Sequence, residues 1–156
     1  MSLPLITIAI FTACTTPAWG QIAPDSTLGA NASTTREITF QGFPFTLIEG
    51  GSSQGANLFH SFLRFNVAQG QNAYFISPEG IRNIFSRVTG SDRSEILGRL
   101  GVVGSEANLF LINPNGFLFG QNAILDVNGS FVATTANAIQ FGDRGSFDAT
   151  NPAAPD

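Results

Sequence analysis

The chain has 156 residues and a formal net charge of -4, a length suited to one domain with a single core. Charged residues make up 12% and hydrophobic residues 43%, whereas a soluble domain carries about 25% charge, which argues against a fold of charged-surface helices. Every basic residue is an Arg (Arg36, Arg64, Arg82, Arg87, Arg93, Arg99, Arg144) and none cluster, which excludes a nucleic-acid patch and a polybasic membrane face.

Residues 1–20 read as an export leader. An apolar run from Leu3 to Ala13 is followed by Ala18-Trp19-Gly20, the small residues that signal peptidase requires, and cleavage is expected before Gln21. No Lys or Arg precedes the run, and it is too short to be a stable membrane span. The single cysteine, Cys14, would leave with the leader; Phe11-Thr12-Ala13 before it is a poor match to the Leu-led signal for lipid attachment. A mature chain without thiols has no disulfide to obstruct passage through a pore.

Residues 21–35 are small, polar and turn-prone, an extended lead-in, and the folded domain is expected over 36–156. Ile38 and Phe40, then Phe43, Phe45 and Leu47, alternate with polar neighbours as strands with one buried face do. Gly50-Gly51-Ser52-Ser53 reads as a loop. From Ala56 to Val67 the pattern is ambiguous, because Leu58, Phe59, Phe62 and Leu63 fit a helical face while Leu63, Phe65 and Val67 alternate; strand is preferred. Apolar stretches then recur at Ala73 to Ile76, Ile84 to Val88, Ile96 to Val103, Leu109 to Ile112, Phe117 to Phe119, Ala123 to Val127 and Phe131 to Ala133. Many short strands predict an all-β sandwich, barrel or solenoid.

The corners favour the solenoid. They are dominated by Asn and Gly (Gly104, Asn113, Asn115, Gly116, Gly120, Asn122, Asn128, Gly129, Asn137, Gly142), which tolerate the left-handed conformation of sharp bends. Segments also repeat: Ala56-Asn57-Leu58-Phe59 returns as Ala107-Asn108-Leu109-Phe110, and Gln71-Asn72-Ala73 as Gln121-Asn122-Ala123, without a constant offset. Stacked coils around a Phe-rich interior are therefore expected. The first coil of a solenoid exposes an edge that needs covering, and the irregular aromatic stretch 36–67 is the expected cap.

Catalytic motifs weigh little. Gly51-Ser52-Ser53-Gln54-Gly55 matches a nucleophile elbow, but the sole histidine, His60, follows Ser53 by only seven residues and no α/β domain surrounds it. One His and one Cys do not supply the ligand set of a zinc site, Asp126-Val127-Asn128-Gly129 lacks the other ligands of a calcium loop, and no Lys exists for a phosphate loop. The carboxylates are dispersed. The chain reads as a non-enzyme needing no cofactor and no metal. The sharpest local feature is Asn113-Pro114-Asn115-Gly116, where Pro fixes φ at the second turn position and Gly accepts positive φ at the fourth, a tight turn between two strands.

Several motifs in order resemble the filamentous haemagglutinin N-terminal domain, the secretion domain of two-partner systems. They are Gly55-Ala56-Asn57-Leu58-Phe59-His60-Ser61-Phe62 leading into Phe65-Asn66-Val67, then Ser86-Arg87-Val88-Thr89-Gly90, Leu111-Ile112-Asn113-Pro114-Asn115-Gly116 and Gly129-Ser130-Phe131-Val132-Ala133-Thr134-Thr135. The resemblance implies a right-handed parallel β-helix with a β-strand cap containing Asn57, Phe59, His60, Phe62, Phe65 and Asn66. It implies export by the general secretory machinery through the periplasm, then engagement of the periplasmic domains of an outer-membrane β-barrel transporter, with the product secreted or at the cell surface. Asn113 to Gly116 would be the transporter-recognition or turn motif, and an earlier Asn-Pro turn is present only as Ser77-Pro78-Glu79-Gly80. The alternative is a stand-alone adhesin or matrix protein using exposed Asn, Thr and Ser ladders on host or matrix glycans; a polysaccharide-active β-helix enzyme is a minor one.

Overall fold

The computed structural model describes residues 22–155; the expected leader, its cleavage point and Cys14 lie outside them. The described chain begins with β1 (Ile22–Pro24), a 3-10 turn at Gly29–Asn31 and β2 (Ser33–Phe40), followed by β3 (Phe43–Gly50), β4 (Ser52–Gln54) and β5 (Asn57–Phe65). Then come β6 (Asn72–Ile76), β7 (Asn83–Val88), β8 (Ser94–Ile96), β9 (Arg99–Val103), β10 (Asn108–Ile112), β11 (Phe117–Phe119), β12 (Ile124–Asp126) and β13 (Phe131–Thr134). A hairpin of β14 (Ala138–Gln140) and β15 (Ser146–Asp148) closes the order. No helix among the described residues is long and apolar enough to cross a membrane.

These strands wind a β-helix of about four coils. One sheet stacks β3, β6, β9 and β12 in parallel, a second stacks β5, β7, β10 and β13, and a third face pairs Val67 with Ile96 and β8 with β11. The register explains the sequence repeats. Asn57 faces Asn83 and Asn83 faces Asn108, so the two Ala-Asn-Leu-Phe segments occupy the same position two coils apart. The Gln-Asn-Ala repeat has no such meaning: Asn72 is level with Arg99 and Arg99 with Ile124, so Asn122 falls two residues short, in the preceding corner.

At its N-terminal end the solenoid is closed by antiparallel strands. β1 and β4 lie against different parts of β5, and β2 lies against β3. The β2–β3 connection, Gln41-Gly42, has positive φ at both residues, the mirror-image turn that suits strand twist. Of the stretch 36–67 expected as the cap, β2 and β4 lie antiparallel against the first coil, while β3 and β5 belong to that coil. The stretch 21–35, read as a lead-in, contributes β1, a buried Leu28 and the start of β2, so the folded part reaches back at least to Ile22. Its sparse apolar residues hid this: Ile22 and Leu28 are two anchors in an otherwise polar stretch.

β5 resolves the ambiguous segment as strand. Its register on β1 slips between Ala23, opposite Arg64, and Pro24, opposite Phe62, leaving Leu63 as an extra, exposed residue. That bulge turns Phe62 and Phe65 to the same interior, three residues apart, which is why the sequence also fits a helix. The run Ile96 to Val103 is two strands rather than one. A corner at Gly98 divides them, where a side chain would strike the carbonyls of Ala68 at 2.2 Å and Gln71 at 2.4 Å.

The interior is mostly aliphatic (Ile48, Leu58, Ile84, Ile96, Leu100, Leu109), with Phe62, Phe65 and Phe75 grouped near the cap. The other large set of Phe lies outside the coils. Phe59, Phe85 and Phe110 stack along the outer face of the β5–β7–β10 sheet, with ring centroids 5.3 and 4.8 Å apart, and the β14–β15 hairpin folds back over them with Phe141 and Phe147. The expected Phe-rich interior is therefore divided between two clusters, because alternate residues of these strands are apolar on both faces.

Candidate functional site

The turn at Asn113 to Gly116 joins β10 to β11, and its first residue is a structural bolt. Asn113 is fully buried. Its Nδ2 donates to the Asp92 carbonyl and to Ser94 Oγ, both at 3.0 Å, in the loop one coil earlier. Its Oδ1 accepts from the Asn115 backbone at 2.9 Å and the Asn115 side chain at 3.2 Å. Asn115 Nδ2 also donates to the Gly90 carbonyl at 2.8 Å, and the Gly116 N–H closes the turn on the Asn113 carbonyl at 3.0 Å. Asn115 is exposed and Pro114 and Gly116 are half-buried, so these three offer surface on which another molecule can rest.

Ser77 to Gly80 sits at a different corner, between β6 and β7. Ser77 is buried; its N–H donates to the Val103 carbonyl at 2.8 Å and its Oγ accepts from Ser105 at 2.7 Å, while Pro78, Glu79 and Gly80 are exposed. The two turns therefore project from different edges of the coil and do not form one surface patch. In the second coil the loop level with Asn113 to Gly116 is the one holding Gly90 and Asp92, to which Asn113 and Asn115 are bonded.

The cap residues divide by face. Phe62 and Phe65 fill the interior, Phe59 heads the outer Phe stack, and Asn57 starts a side-chain ladder. Asn83 Nδ2 donates to Asn57 Oδ1 at 3.0 Å, Asn108 Nδ2 donates to Asn83 Oδ1 at 3.0 Å, and Asn108 Oδ1 accepts from the Ser130 N–H at 2.8 Å. These bonds run from coil to coil rather than outward. Asn66 Oδ1 accepts from the Glu95 N–H at 2.8 Å, tying the first coil to the second.

His60 points inward between Phe62 and Phe75. Its Nδ1 is 2.9 Å from Ser33 Oγ, which also accepts the Ser61 N–H, while Nε2 is buried without a partner. Burial pushes its pKa down to about 3, so the ring is neutral. Ser53, by contrast, is exposed on β4 opposite Leu58, so no Ser–His pair forms there. Among the described residues no group of three His, Asp or Glu side chains gathers to hold a metal ion.

One polar cluster was not singled out by sequence reasoning. Arg87, on the outward face of β7 and fully buried, donates from Nε to Ser61 Oγ at 2.9 Å and from Nη2 to Thr27 Oγ1 at 2.9 Å. It also donates to the carbonyls of Asp148 at 3.0 Å and Ala153 at 2.9 Å, and lies 4.3 Å above the Phe147 ring. Burial lowers its pKa, opposed by the charges of Asp25 and Asp148. Asp25 completes the cluster. Burial disfavours its charge, but hydrogen bonds from Thr27, Thr89 and Ser61 outweigh that and hold its pKa below the usual carboxylate value. The cluster fastens the N-terminal segment, two coils and the C-terminal segment at one point. Its members Ser61, Arg87 and Thr89 stand in motifs that carry the family resemblance, but nothing in the sequence marks them as partners.

A family described as the TPS secretion domain matches residues 20–155. Among curated proteins, the heme/hemopexin-binding protein of Haemophilus influenzae is 33% identical over 82 residues, 53% of this chain and 9% of that protein. The protein adenylyltransferase and cysteine protease IbpA of Histophilus somni is 38% identical over 68 residues, 43% of this chain and 2% of that protein. The chain thus spans a small fraction of the length of both relatives. No solved structure matches it significantly.

Proposed function

From the premise that the chain belongs to the TPS secretion domain family, we propose that it is the part of a two-partner secretion exoprotein that a cognate outer-membrane β-barrel transporter recognises and that starts β-helix folding on the far side. Family membership carries secretion or cell-surface display and argues for a non-enzymatic module. The activities named for the two relatives belong to those proteins, which match over short stretches only.

The observation that supports this reading is the match of the whole described solenoid, cap included, to the secretion-domain family. Its N-terminal end is closed by β1, β2 and β4, which gives coil winding a fixed starting point. Pro114, Asn115 and Gly116 are the parts of the Asn113 turn free to contribute to recognition. Winding one coil after another buries aliphatic side chains at about 1.5 to 3 kcal/mol each, which opposes backsliding into the pore.

The test is co-expression with the cognate transporter, together with binding of the purified mature chain to the transporter's periplasmic domains. Export that depends on the transporter, and binding weakened by Asn115→Ala, is the expected result. Equal export without the transporter, or no binding by the unsubstituted chain, would overturn the reading. Glycan binding by the isolated chain would instead favour the adhesin.

A further inference from the structure

The β14–β15 hairpin is attached to the coils in an unusual way. Its only ladder is internal, pairing Ala138 with Asp148, Ile139 with Phe147 and Gln140 with Ser146, and the flanking Ala149 N–H bonds to the Asn137 carbonyl, again within the segment. Among the described residues no backbone hydrogen bond joins it to a coil. What holds it are side chains: Phe141 and Phe147 over the Phe59–Phe85–Phe110 stack, and the Arg87 guanidinium reaching the Asp148 and Ala153 carbonyls. A cavity of about 790 Å3 remains between the segment and the β4–β5 turn, lined by Gln54, Asn57, Phe59, Phe141 and Phe147.

We infer that residues 138–153 are a strap that opens without unwinding the coils, and that during export it closes last, over coils already wound on the far side. Opening breaks no coil-to-coil ladder bond. The guanidinium exchanges two carbonyls for water while keeping Ser61 and Thr27, and three stacked rings become exposed. Such a segment belongs at the low-stability end of a structure, where local opening is far cheaper than global unfolding. Closure then requires residues up to Ala153 to have emerged, so the mature fold is locked only when the whole module has crossed. This export half of the inference rests on the transporter reading above; the strap itself does not.

Hydrogen exchange on the purified mature chain tests the strap without any transporter. The amides of Phe147 and Ala149 should exchange at least about tenfold faster than those of Ile84 and Leu109. Phe147→Ala should accelerate the first pair further and leave the second unchanged. One common rate for strap and coil amides in the unsubstituted chain, or loss of coil protection in Phe147→Ala together with that common rate, overturns the strap. With the transporter present, Phe147→Ala should be exported at no less than the unsubstituted level and emerge more sensitive to protease. Failure of Phe147→Ala export alongside normal export of the unsubstituted chain overturns the export half, whereas transporter-independent export of the unsubstituted chain would sink the transporter reading and leave the strap standing.

Discussion

The side chain of Asn113, in the third coil, donates to the hydroxyl of Ser94, in the second, at 3.0 Å in a site closed to water. The turn that most resembles a recognition motif is therefore also a fastener between coils, and its residues differ in what they can do. Asn113→Ala leaves the Asp92 carbonyl, Ser94 Oγ and the Asn115 N–H without their partner, and should lower unfolding free energy by at least about 2 kcal/mol. Asn115→Ala removes bonds at an exposed position and should cost about 1 kcal/mol or less. Urea unfolding of the mature chains gives both numbers. Export lost in Asn115→Ala at nearly full stability would assign recognition to that side chain; export that tracks stability in both variants would make the turn structural only.

Two glycines with similar backbone angles should behave differently. Gly104 and Gly116 have φ of +100 and +102, so an Ala at either is strained, by about 1 kcal/mol. A Cβ at Gly116 meets nothing within 4 Å, whereas at Gly104 it would lie 2.4 Å from the Ser77 carbonyl oxygen. Gly104→Ala should therefore be several-fold more damaging than Gly116→Ala in thermal unfolding, because the backbone of β6 must move to admit it. Equal shifts in Tm would mean that the corner relaxes freely.

How far the fold could be read from the sequence follows from where its periodicities are simple. β3 announces itself by alternation and β6, β7 and β10 by short apolar runs, and the Ala-Asn-Leu-Phe repeat marks a true coil position because Asn57, Asn83 and Asn108 must stack. Offsets of 26 and 25 residues between successive ladder Asn explain why no constant period emerges. The Phe of alternate faces misleads: Phe59, Phe85 and Phe110 look like interior residues, and only the return of residues 138–153 reveals that a second layer buries them from outside. The Arg87 cluster was illegible for the same reason, since its partners stand as far as 66 residues away and two of them are backbone carbonyls, which leave no mark on composition.

The Asn ladder is directional, which makes a sharp prediction about charge. Asn57 only accepts from its ladder neighbour, so Asn57→Asp keeps that bond and should change stability by less than about 0.5 kcal/mol. Asn83 both donates to Asn57 and accepts from Asn108. Asn83→Asp can accept but not donate, and sets a carboxylate against the Asn57 oxygen; a loss of about 1 to 3 kcal/mol is expected. Urea midpoints that rank the two variants in the opposite order would show that the ladder does not have this polarity.

Burial of His60 gives the cap a pH dependence whose sign is fixed. Its pKa is about 3 in the fold and about 6.5 in the unfolded chain, so below pH 6.5 the unfolded state binds a proton that the folded state does not. Stability is complete above that pH and falls as the pH drops, at up to about 1.4 kcal/mol per pH unit until the ring protonates in the fold. From pH 7 to pH 5 the loss should be about 2 kcal/mol. Asp25 does not confuse this window, since its lowered pKa places its own contribution further down, with stability lost only as pH falls below the ordinary carboxylate range. His60→Phe keeps a ring between Phe62 and Phe75, removes the unpartnered Nε2, and should flatten the dependence between pH 7 and pH 5. Urea unfolding at each pH decides it: an equal slope in the variant and the unsubstituted chain would assign the effect to other groups.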